Sequence, residues 1–159
     1  GFLTATDILD QGRRLPALPT RDAVLVAVTV LLAAKERGGA VSALLAELPR
    51  RFTASDRVKE FPTELSRARL AAMSVGVPSR DRQAAEALLG DTFGPVAEVD
   101  TTDGVRTTFS SGEIVHLRPS GNAPELRAYT EADSPERARE MTRACMGILA
   151  AWRETAGDV

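Results

Sequence analysis

Cysteine and histidine are almost absent from this chain. Among its 159 residues, Cys145 is the only cysteine and His116 is the only histidine. A disulfide framework needs paired cysteines, and zinc sites draw mainly on cysteine and histidine side chains. We therefore exclude a disulfide-stabilised fold and a cysteine- or histidine-rich metal site. A lone thiol suits a reducing compartment, so we expect a cytoplasmic protein.

A strong net charge and a long apolar run are missing as well. The net charge is −2 and the pI is about 5.5, whereas nucleic-acid-binding domains usually carry a basic excess. The longest apolar run, Ala23 to Ala34, is shorter than the roughly 20 residues of a membrane helix. We expect neither nucleic acid nor a membrane as a partner, and we interpret the run as a buried helix. Because 43% of the residues are hydrophobic, the chain can nevertheless form a sizeable core.

Residues 1–49 are interpreted as the end of an α/β domain. The pattern predicts a strand from Phe2 to Ile8, a helix from Arg21 to Arg37 with Thr20 as its N-cap, and a short helix from Val41 to Leu48. One strand and two helices cannot cover their own apolar faces. The chain also begins without an initiator methionine, so we expect a fragment that lacks an upstream part. We further expect self-association, because exposed apolar patches tend to find partners.

Residues 50–62 are polar and bounded by prolines, and we predict that they form a hinge to a second domain, residues 63–159. Two helices are predicted at the start of that domain, around Thr63–Met73 and Ser79–Leu89, with Ser79 as an N-cap.

Four strands and a closing helix complete the predicted domain. The strands are Val96–Thr102, Val105–Phe109, Glu113–Leu117 and Leu126–Ala132. Asp103 and Gly104 form a strong hairpin signal between the first two. The last helix, capped by Asp133 or Ser134, has an apolar face of Ala138, Met141, Cys145, Ile148, Leu149 and Trp152. The fold class is therefore α+β, an antiparallel sheet packed with helices and preceded by a partial α/β unit.

The sequence RPSGNAPELR, residues 118–127, separates the last two predicted strands. It concentrates guanidinium, hydroxyl, amide and backbone donors on Arg118, Ser120, Gly121, Asn122 and Arg127, with Glu125 as the one nearby carboxylate. Arginine presents a planar fork that matches phosphate, and glycine lets an anion approach the backbone. This chemistry indicates a phosphate cradle stiffened by two prolines. By composition alone an ordinary turn is the favoured alternative, because proline, serine, glycine and asparagine dominate turns.

A longer stretch carries a family resemblance. Residues 103–132, DGVRTTFSSGEIVHLRPSGNAPELRAYTEA, resemble the C-terminal domain of the α-D-phosphohexomutases, the phosphomannomutase and phosphoglucomutase family. The phosphate-binding loop of that family usually reads R-P-S-G-T-E-P, followed by two residues and an arginine. Residues 18–57 resemble the end of the family's third domain and its hinge into the fourth. The resemblance implies a remnant of domain 3 followed by a domain 4 with a TATA-box-binding-protein-like fold.

The resemblance also implies a function. It makes Arg118, Ser120, Gly121, Asn122 and Arg127 the phosphate-binding residues. In the whole protein it implies an enzyme that interconverts hexose 1- and 6-phosphates, such as those of mannose or glucose, through a phosphoserine, a bisphosphate intermediate and Mg²⁺. The partners would be the hexose phosphate and the N-terminal domains of the same polypeptide. The family's catalytic serine, magnesium and sugar loops do not occur in this sequence, so we expect no catalytic residue, metal or activity in this chain alone.

Several alternatives stay open at this stage. Asn122 and Ala123 stand where the family usually has threonine and glutamate, which puts substrate choice in question. A stand-alone phospho-ligand or regulatory module, or a purely structural domain, would also fit the sequence. His116 is favoured as a sheet-surface residue over a phosphate neighbour, and Cys145 as a core residue. Arg50, Arg51 and Arg57 are interpreted as solvated, with a position facing a substrate cleft near the hinge as the alternative. Ser55 is interpreted as non-catalytic.

Overall fold

The computed structural model describes residues 2–154, with the backbone alone for residues 2–4 and Thr20. The chain divides between Pro49 and Arg50 into two compact units. The predicted chain start and the last five residues of the predicted second domain lie outside the described residues.

The first unit contains two small antiparallel sheets and two helices. Its strands are β1 (Phe2–Thr4), β2 (Ile8–Asp10), β3 (Arg13–Leu15) and β4 (Leu18–Asp22). Its helices are α1 (Ala23–Glu36) and α2 (Val41–Leu44), the latter continued by a 3₁₀ turn, Leu45–Glu47. β1 pairs with β4, and β2 pairs with β3. The single strand predicted from Phe2 to Ile8 is therefore two strands in different sheets.

Helix α1 differs from its prediction in its cap. Thr20 lies within β4, and Asp22 is the N-cap, its side chain accepting a hydrogen bond of 2.9 Å from the backbone N–H of Leu25. Within the described residues the helix is largely exposed, in agreement with the expectation that the apolar faces of residues 1–49 stay uncovered. Val24 is 69% exposed and Leu31 is 60% exposed, because two short sheets and a short helix offer too little apolar surface to cover them.

The second unit is α+β, as predicted. It contains β5 (Phe52–Lys59), α3 (Thr63–Ala72), α4 (Pro78–Phe93), β6 (Val96–Asp100), β7 (Val105–Phe109), β8 (Ile114–Pro119), β9 (Glu125–Ala132) and α5 (Pro135–Glu154). The five strands form one antiparallel sheet in the order β5-β9-β8-β7-β6.

Most of the stretch predicted as a hinge, residues 50–62, is strand β5. It pairs with β9 along its whole length, from Phe52 opposite Ala132 to Lys59 opposite Glu125. The polar sequence suggested a linker, but a strand with one face open to solvent keeps polar side chains on that face. The separation between the two units lies before this strand, at Pro49.

Two helix ends in the second unit also differ in detail from the sequence pattern. The predicted N-cap Ser79 lies inside helix α4, whose N-cap residue is Val77 and whose start has no side-chain cap. The helix continues through Gly90 to Phe93 and is followed by Gly94, whose φ is 90°. The buried side chains of Leu89 and Phe93 explain this extension, since both pack into the core. Helix α5 begins as predicted, and the Ser134 hydroxyl accepts a 3.1 Å hydrogen bond from its first turn.

All three long helices of the second unit pack on strands of the sheet, α3 on β8, α4 on β6 and α5 on β5 and β9. Strands β7, β8 and β9 alternate between buried and partly exposed residues, over the greatest length in β9. The core face includes Phe109, Val115, Leu117 and Leu126. The opposite face of the sheet, here called the open face, carries polar and charged side chains.

The β6–β7 turn depends on a glycine in close contact with β8. Gly104 has a φ of 80°, and a Cβ added there would lie 2.3 Å from the carbonyl oxygen of Leu117. Glycine is the one residue that accepts both the backbone conformation and this approach without strain. The turn is therefore held against β8, and this contact places Asp103 beside the end of that strand.

We predict that Gly104→Ala destabilises the second unit by about 2–3 kcal/mol, because strain in φ adds to a clash with rigid backbone. Gly112→Ala is the matched control, since its φ is 82° but its added Cβ meets nothing within 4 Å. The control should lose only about 1 kcal/mol. Urea denaturation of both variants measures the difference, and equal losses would contradict the proposed clash.

An ion pair joins helix α5 to Glu113, the residue just before strand β8, and the Glu113 side chain is mostly buried. Arg137 donates two hydrogen bonds to the Glu113 carboxylate, of 2.6 and 2.9 Å. The Arg137 hydrogen bonds are the main reason that the pKa of Glu113 lies below its usual value, against the opposing effect of burial. Because the folded-state pKa is lowered, the pair stabilises the fold above the ordinary carboxyl pKa and ceases to do so as pH falls through the folded value.

We predict that Glu113→Gln lowers the free energy of unfolding near neutral pH by about 1 kcal/mol, the scale of a half-exposed ion pair. The difference between parent and variant should shrink as the pH is lowered below the ordinary glutamate pKa. Thermal or urea denaturation between neutral and acidic pH tests this sign. A difference that grows on acidification would refute it.

Candidate functional site

The predicted loop is a backbone-bonded bend between β8 and β9. The N–H of Ser120 donates to the carbonyl of Glu125 at 2.9 Å, and the N–H of Glu125 donates to the carbonyl of Ala123 at 2.8 Å. The carbonyl of Pro124 accepts a 2.8 Å bond from the N–H of Phe61, a fully buried residue. These bonds fix the loop to the sheet and to the core, so its donors are held on a rigid base.

Arg118 lies at the end of β8 and is half exposed. It stands directly opposite Arg127 in the sheet register, and its Nε lies 3.0 Å from Oδ1 of Asp103. The expectation that Glu125 is the one nearby carboxylate is wrong, because Asp103 also lies beside Arg118. The pairing of Val105 with Leu117 brings the β6–β7 turn, and with it Asp103, to Arg118.

Arg127 connects the strand to the loop. Its Nη2 lies 3.4 Å from the Ser120 hydroxyl and 3.5 Å from the Glu125 carboxylate. A hydrogen bond with Tyr129 is the main reason that the pKa of Arg127 is raised, and the interaction with Glu125 adds to it. Its buried Nε has no hydrogen-bond partner within the part of the chain that the structure describes. This guanidinium therefore retains a donor for which the described residues provide no acceptor.

Gly121 and Asn122 form the exposed tip of the loop. The N–H of Asn122 lies 3.4 Å from the Ser120 hydroxyl. The φ of Gly121 is not among the positive values, and a Cβ added there would meet nothing within 4 Å. The bend itself therefore does not require glycine. The open space beside Gly121 is compatible with the predicted approach of an anion to the backbone.

The five predicted residues thus lie together at one end of the sheet. Ser120 and Arg127 are in contact, Arg118 is the neighbour of Arg127 across the strands, and the tip residues stand beside them. Their role in phosphate binding stays a prediction.

The open face continues from the loop across the sheet. Two shallow grooves lie on it, of about 400 and 430 Å³. The first is lined by Thr53, Ala54, Ser55, Arg106, Ile114, His116, Tyr129, Thr130 and Glu131. The second is lined by Ser55, Asp56, Arg57, Lys59, Arg127 and Tyr129. Of the predicted site residues, Arg127 lines the second groove and none lines the first, so the second groove and the loop meet at the Arg127 side chain.

His116 is a satisfied residue of the open face, as favoured from the sequence. Its Nε2–H donates to the carbonyl of Asp103 at 2.5 Å, and its ring packs beside Tyr129 with centroids 5.7 Å apart. Cys145 lies in the core, where burial raises the pKa of its thiol to about 12. Neither side chain contributes a reactive group to the loop.

The arginines near the domain boundary differ from one another. Arg50 is exposed, as expected for a solvated residue. Arg51 is instead ion-paired with Glu131 and Asp133 and donates a 2.6 Å bond to the carbonyl of Gly112. Its interpretation as solvated was wrong, because pairing of β5 with β9 places it against these acceptors. Arg57, also interpreted as solvated, faces Arg127 in the register and is ion-paired with Glu125.

Neither a metal cluster nor a membrane span is found in residues 2–154. No three histidine, cysteine, aspartate or glutamate side chains in this range are grouped so that they could hold a metal ion. No helix in the same range combines the length and apolar character needed to cross a membrane.

These features define an α+β domain whose antiparallel sheet presents a rigid, arginine-bearing loop to solvent. Residues 43–146 match the family described as "Phosphoglucomutase/phosphomannomutase, C-terminal domain". The chain belongs to this family, and the resemblance noted in the sequence is confirmed.

Relatives named as mutases cover most of this chain. A phosphomannomutase of Salmonella muenchen is 40% identical over 136 residues, which is 86% of this chain and 27% of that protein. A phosphomannomutase of Sinorhizobium fredii is 36% identical over 149 residues, or 94% of this chain and 30% of that protein. A probable phosphoglucosamine mutase of Methanothermobacter thermautotrophicus is 38% identical over 69 residues. The chain thus spans less than a third of the length of the two phosphomannomutases.

We predict that Gly121→Ala separates folding from binding. The added Cβ meets open space and no strained φ, so the free energy of unfolding should stay within about 0.5 kcal/mol of the parent or rise slightly. Phosphate binding should weaken severalfold, because the methyl group would stand where an anion approaches the backbone. Urea denaturation and a phosphate titration check the two parts. Unchanged phosphate affinity would show that no anion approaches Gly121.

Proposed function

We propose that this chain is the phosphate-binding C-terminal part of a phosphohexomutase, and that its loop binds the phosphate group of a hexose phosphate. The observation that carries this proposal is the pairing of Arg118 with Arg127 across β8 and β9, beside the hydroxyl of Ser120. Two facing guanidinium groups and a hydroxyl offer charge-assisted donors to a phosphate monoester dianion. Gly121 and Asn122 add backbone and amide donors at the accessible tip.

In the absence of phosphate, carboxylates neutralise these arginines. Asp103 pairs with Arg118 at 3.0 Å and Glu125 pairs with Arg127 at 3.5 Å. Both pairs are partly exposed, and such pairs contribute little to stability. A doubly charged phosphate would therefore compete for the arginines at modest cost. Arg127 also offers its unpartnered Nε.

The two departures from the family loop are compatible with this role. Ala123 contributes its carbonyl oxygen to the bend, accepting the bond from the N–H of Glu125, and any side chain would allow this. Asn122 is exposed, and its amide supplies a donor where the family usually has a hydroxyl. The loop can therefore retain its anion-facing donors, while the substituted side chains bear on which sugar is preferred.

In the whole protein we propose an isomerase that interconverts hexose 1- and 6-phosphates, of mannose or glucose, in the cytoplasm. Binding at the loop would hold the phosphate that does not react, orient the sugar and supply binding energy for the chemical step. The phosphoserine that transfers phosphate to the sugar, and receives the other phosphate from the bisphosphate intermediate, would lie in the N-terminal domains. Mg²⁺ would belong there as well, because residues 2–154 include no fitting ligand cluster, and this chain alone would bind without catalysing.

In this proposal, the first unit is one part of an α/β domain that the rest of the protein completes. The exposed apolar side chains of α1 would be covered by the rest of an α/β domain in the whole protein. In the chain alone, the same side chains would favour self-association.

We predict that Arg118→Ala weakens binding of mannose 6-phosphate to this chain by about 1.5–3 kcal/mol, the loss of a charge-assisted contact. Arg139→Ala is the control, because Arg139 is also an exposed, ion-paired arginine, at 2.7 Å from Glu136, but lies on α5. Titrations followed by ¹H–¹⁵N NMR give the affinities and should shift the Gly121 amide most. Equal affinity of parent and Arg118→Ala would refute the assignment.

A further inference from the structure

Three arginines from three strands share one row of the open face. Arg118 of β8 is the register partner of Arg127 of β9, and Arg127 is in turn the partner of Arg57 of β5. Register partners in neighbouring strands point to the same face of the sheet, with Cα atoms about 4.5–5.5 Å apart. Arg57 therefore stands beside Arg127 on the side opposite to Arg118, although it lies far from the loop in the sequence.

A row of like charges destabilises the sheet unless groups of opposite charge bind to it. Directly opposed like charges destabilise a sheet. Here the Glu125 carboxylate, which is 15% exposed, bridges two members of the row: one oxygen lies 3.4 Å from Arg57 and the other 3.5 Å from Arg127. With Asp103 paired to Arg118, two carboxylates are ion-paired with the three guanidinium groups. Asp56 and Lys59 also line the groove and carry opposite charges, so the row keeps one excess positive charge.

The groove of about 430 Å³ on the open face is lined by both Arg57 and Arg127. Ser55 and Tyr129 line the same groove and bring hydroxyl groups to it. This space adjoins the loop through Arg127, which contacts the Ser120 hydroxyl from the same guanidinium. A ligand whose phosphate is held between loop and row would extend its polar body along this groove.

We propose that Arg57 is a further binding residue of the anion site, and that the ligand is a phosphate monoester held by the row Arg118–Arg127–Arg57. This inference rests on the proposed function and adds to it a residue outside the loop sequence. Arg57 would contact the phosphate directly once the anion replaces Glu125 as its partner. The site would then belong to the open face as much as to the loop, and it would join the stretch that follows the domain boundary to the substrate.

Two simpler roles for Arg57 must be distinguished from this one. Arg57 could serve Glu125 alone, in which case its loss would alter stability and leave phosphate binding unchanged. It could also raise the positive potential of the whole face, in which case any arginine of the face would have the same effect. Arg106 is the matched control for the second role. It lies on the open face in the next row, is 38% exposed against 47% for Arg57, and is paired with Glu131 at 3.5 Å.

The experiment is a titration of the 159-residue chain with inorganic phosphate, followed by ¹H–¹⁵N NMR. It uses the parent and four variants: Arg57→Ala, Arg57→Lys, Arg106→Ala and Arg118→Ala. Arg57→Ala should raise the dissociation constant about fivefold, and Arg106→Ala less than about twofold. Arg57→Lys keeps the positive charge but lacks the planar guanidinium, so its dissociation constant should lie between those of the parent and Arg57→Ala. Thermal denaturation of each variant verifies that the sheet is intact. If Arg57→Ala does not fold, the phosphate dissociation constants of Arg57→Lys and Arg106→Lys are compared instead, and a clearly larger increase for Arg57→Lys supports the proposal.

The outcomes separate this inference from the proposed function. If Arg118→Ala weakens phosphate binding and Arg57→Ala behaves like Arg106→Ala or like the parent, the role of Arg57 is refuted and the loop assignment stands. If neither Arg118→Ala nor Arg57→Ala changes the dissociation constant, the loop itself is not the site, and both proposals fail. A loss with Arg57→Ala that clearly exceeds the loss with Arg106→Ala supports Arg57 as a contact.

Discussion

The register of strand β9 is the constraint on which the rest of the second unit depends. β9 pairs with β5 on one side and β8 on the other, residue by residue, and its side chains alternate strictly between the core and the open face. A slip by one residue would turn Leu126 and Ala128 towards solvent and Arg127 and Tyr129 into the core. Because burying an unpaired guanidinium is so costly, the hydrophobic core and the cationic row specify the same register. Folding and the candidate site are thus set by one alignment.

That alignment creates an electrostatic problem, which nearby carboxylates resolve. Arginines that face one another across strands repel, and Glu125 and Asp103 lie within 3.5 Å of them. Asp103 reaches its partner because Gly104 lets the β6–β7 turn press against β8. These ion pairs leave the arginine side chains accessible, because Arg118 and Arg57 are both half exposed. The arginines are thus partly neutralised and still exposed to solvent.

The sequence predicted strands and helices correctly where a local signal, such as a turn residue, agreed with the hydrophobic periodicity of the flanking residues. Alternation and turn residues predicted the β7, β8 and β9 strands to within two residues, and helical spacing predicted the buried face of α5. The prediction of a hinge failed for β5. This strand has few apolar residues and its polar face resembles a linker, while its pairing partner β9 lies about 75 residues away in the sequence. The interpretation of Arg51 as solvated failed as well, because its acceptors come from distant strands.

By itself, the sequence determined that this is an α+β domain of the phosphohexomutase family, with donor-rich residues concentrated in one loop. Turn chemistry, periodicity and a short motif are local properties of the chain, so they can be recognised without knowing the fold. The tertiary structure decided which charges meet. The pairs Arg118 with Asp103, Arg57 with Glu125, and Arg57 with Arg127 arise from strand order and register. Strand order and register are set by packing the whole sheet against its helices, which no local pattern records.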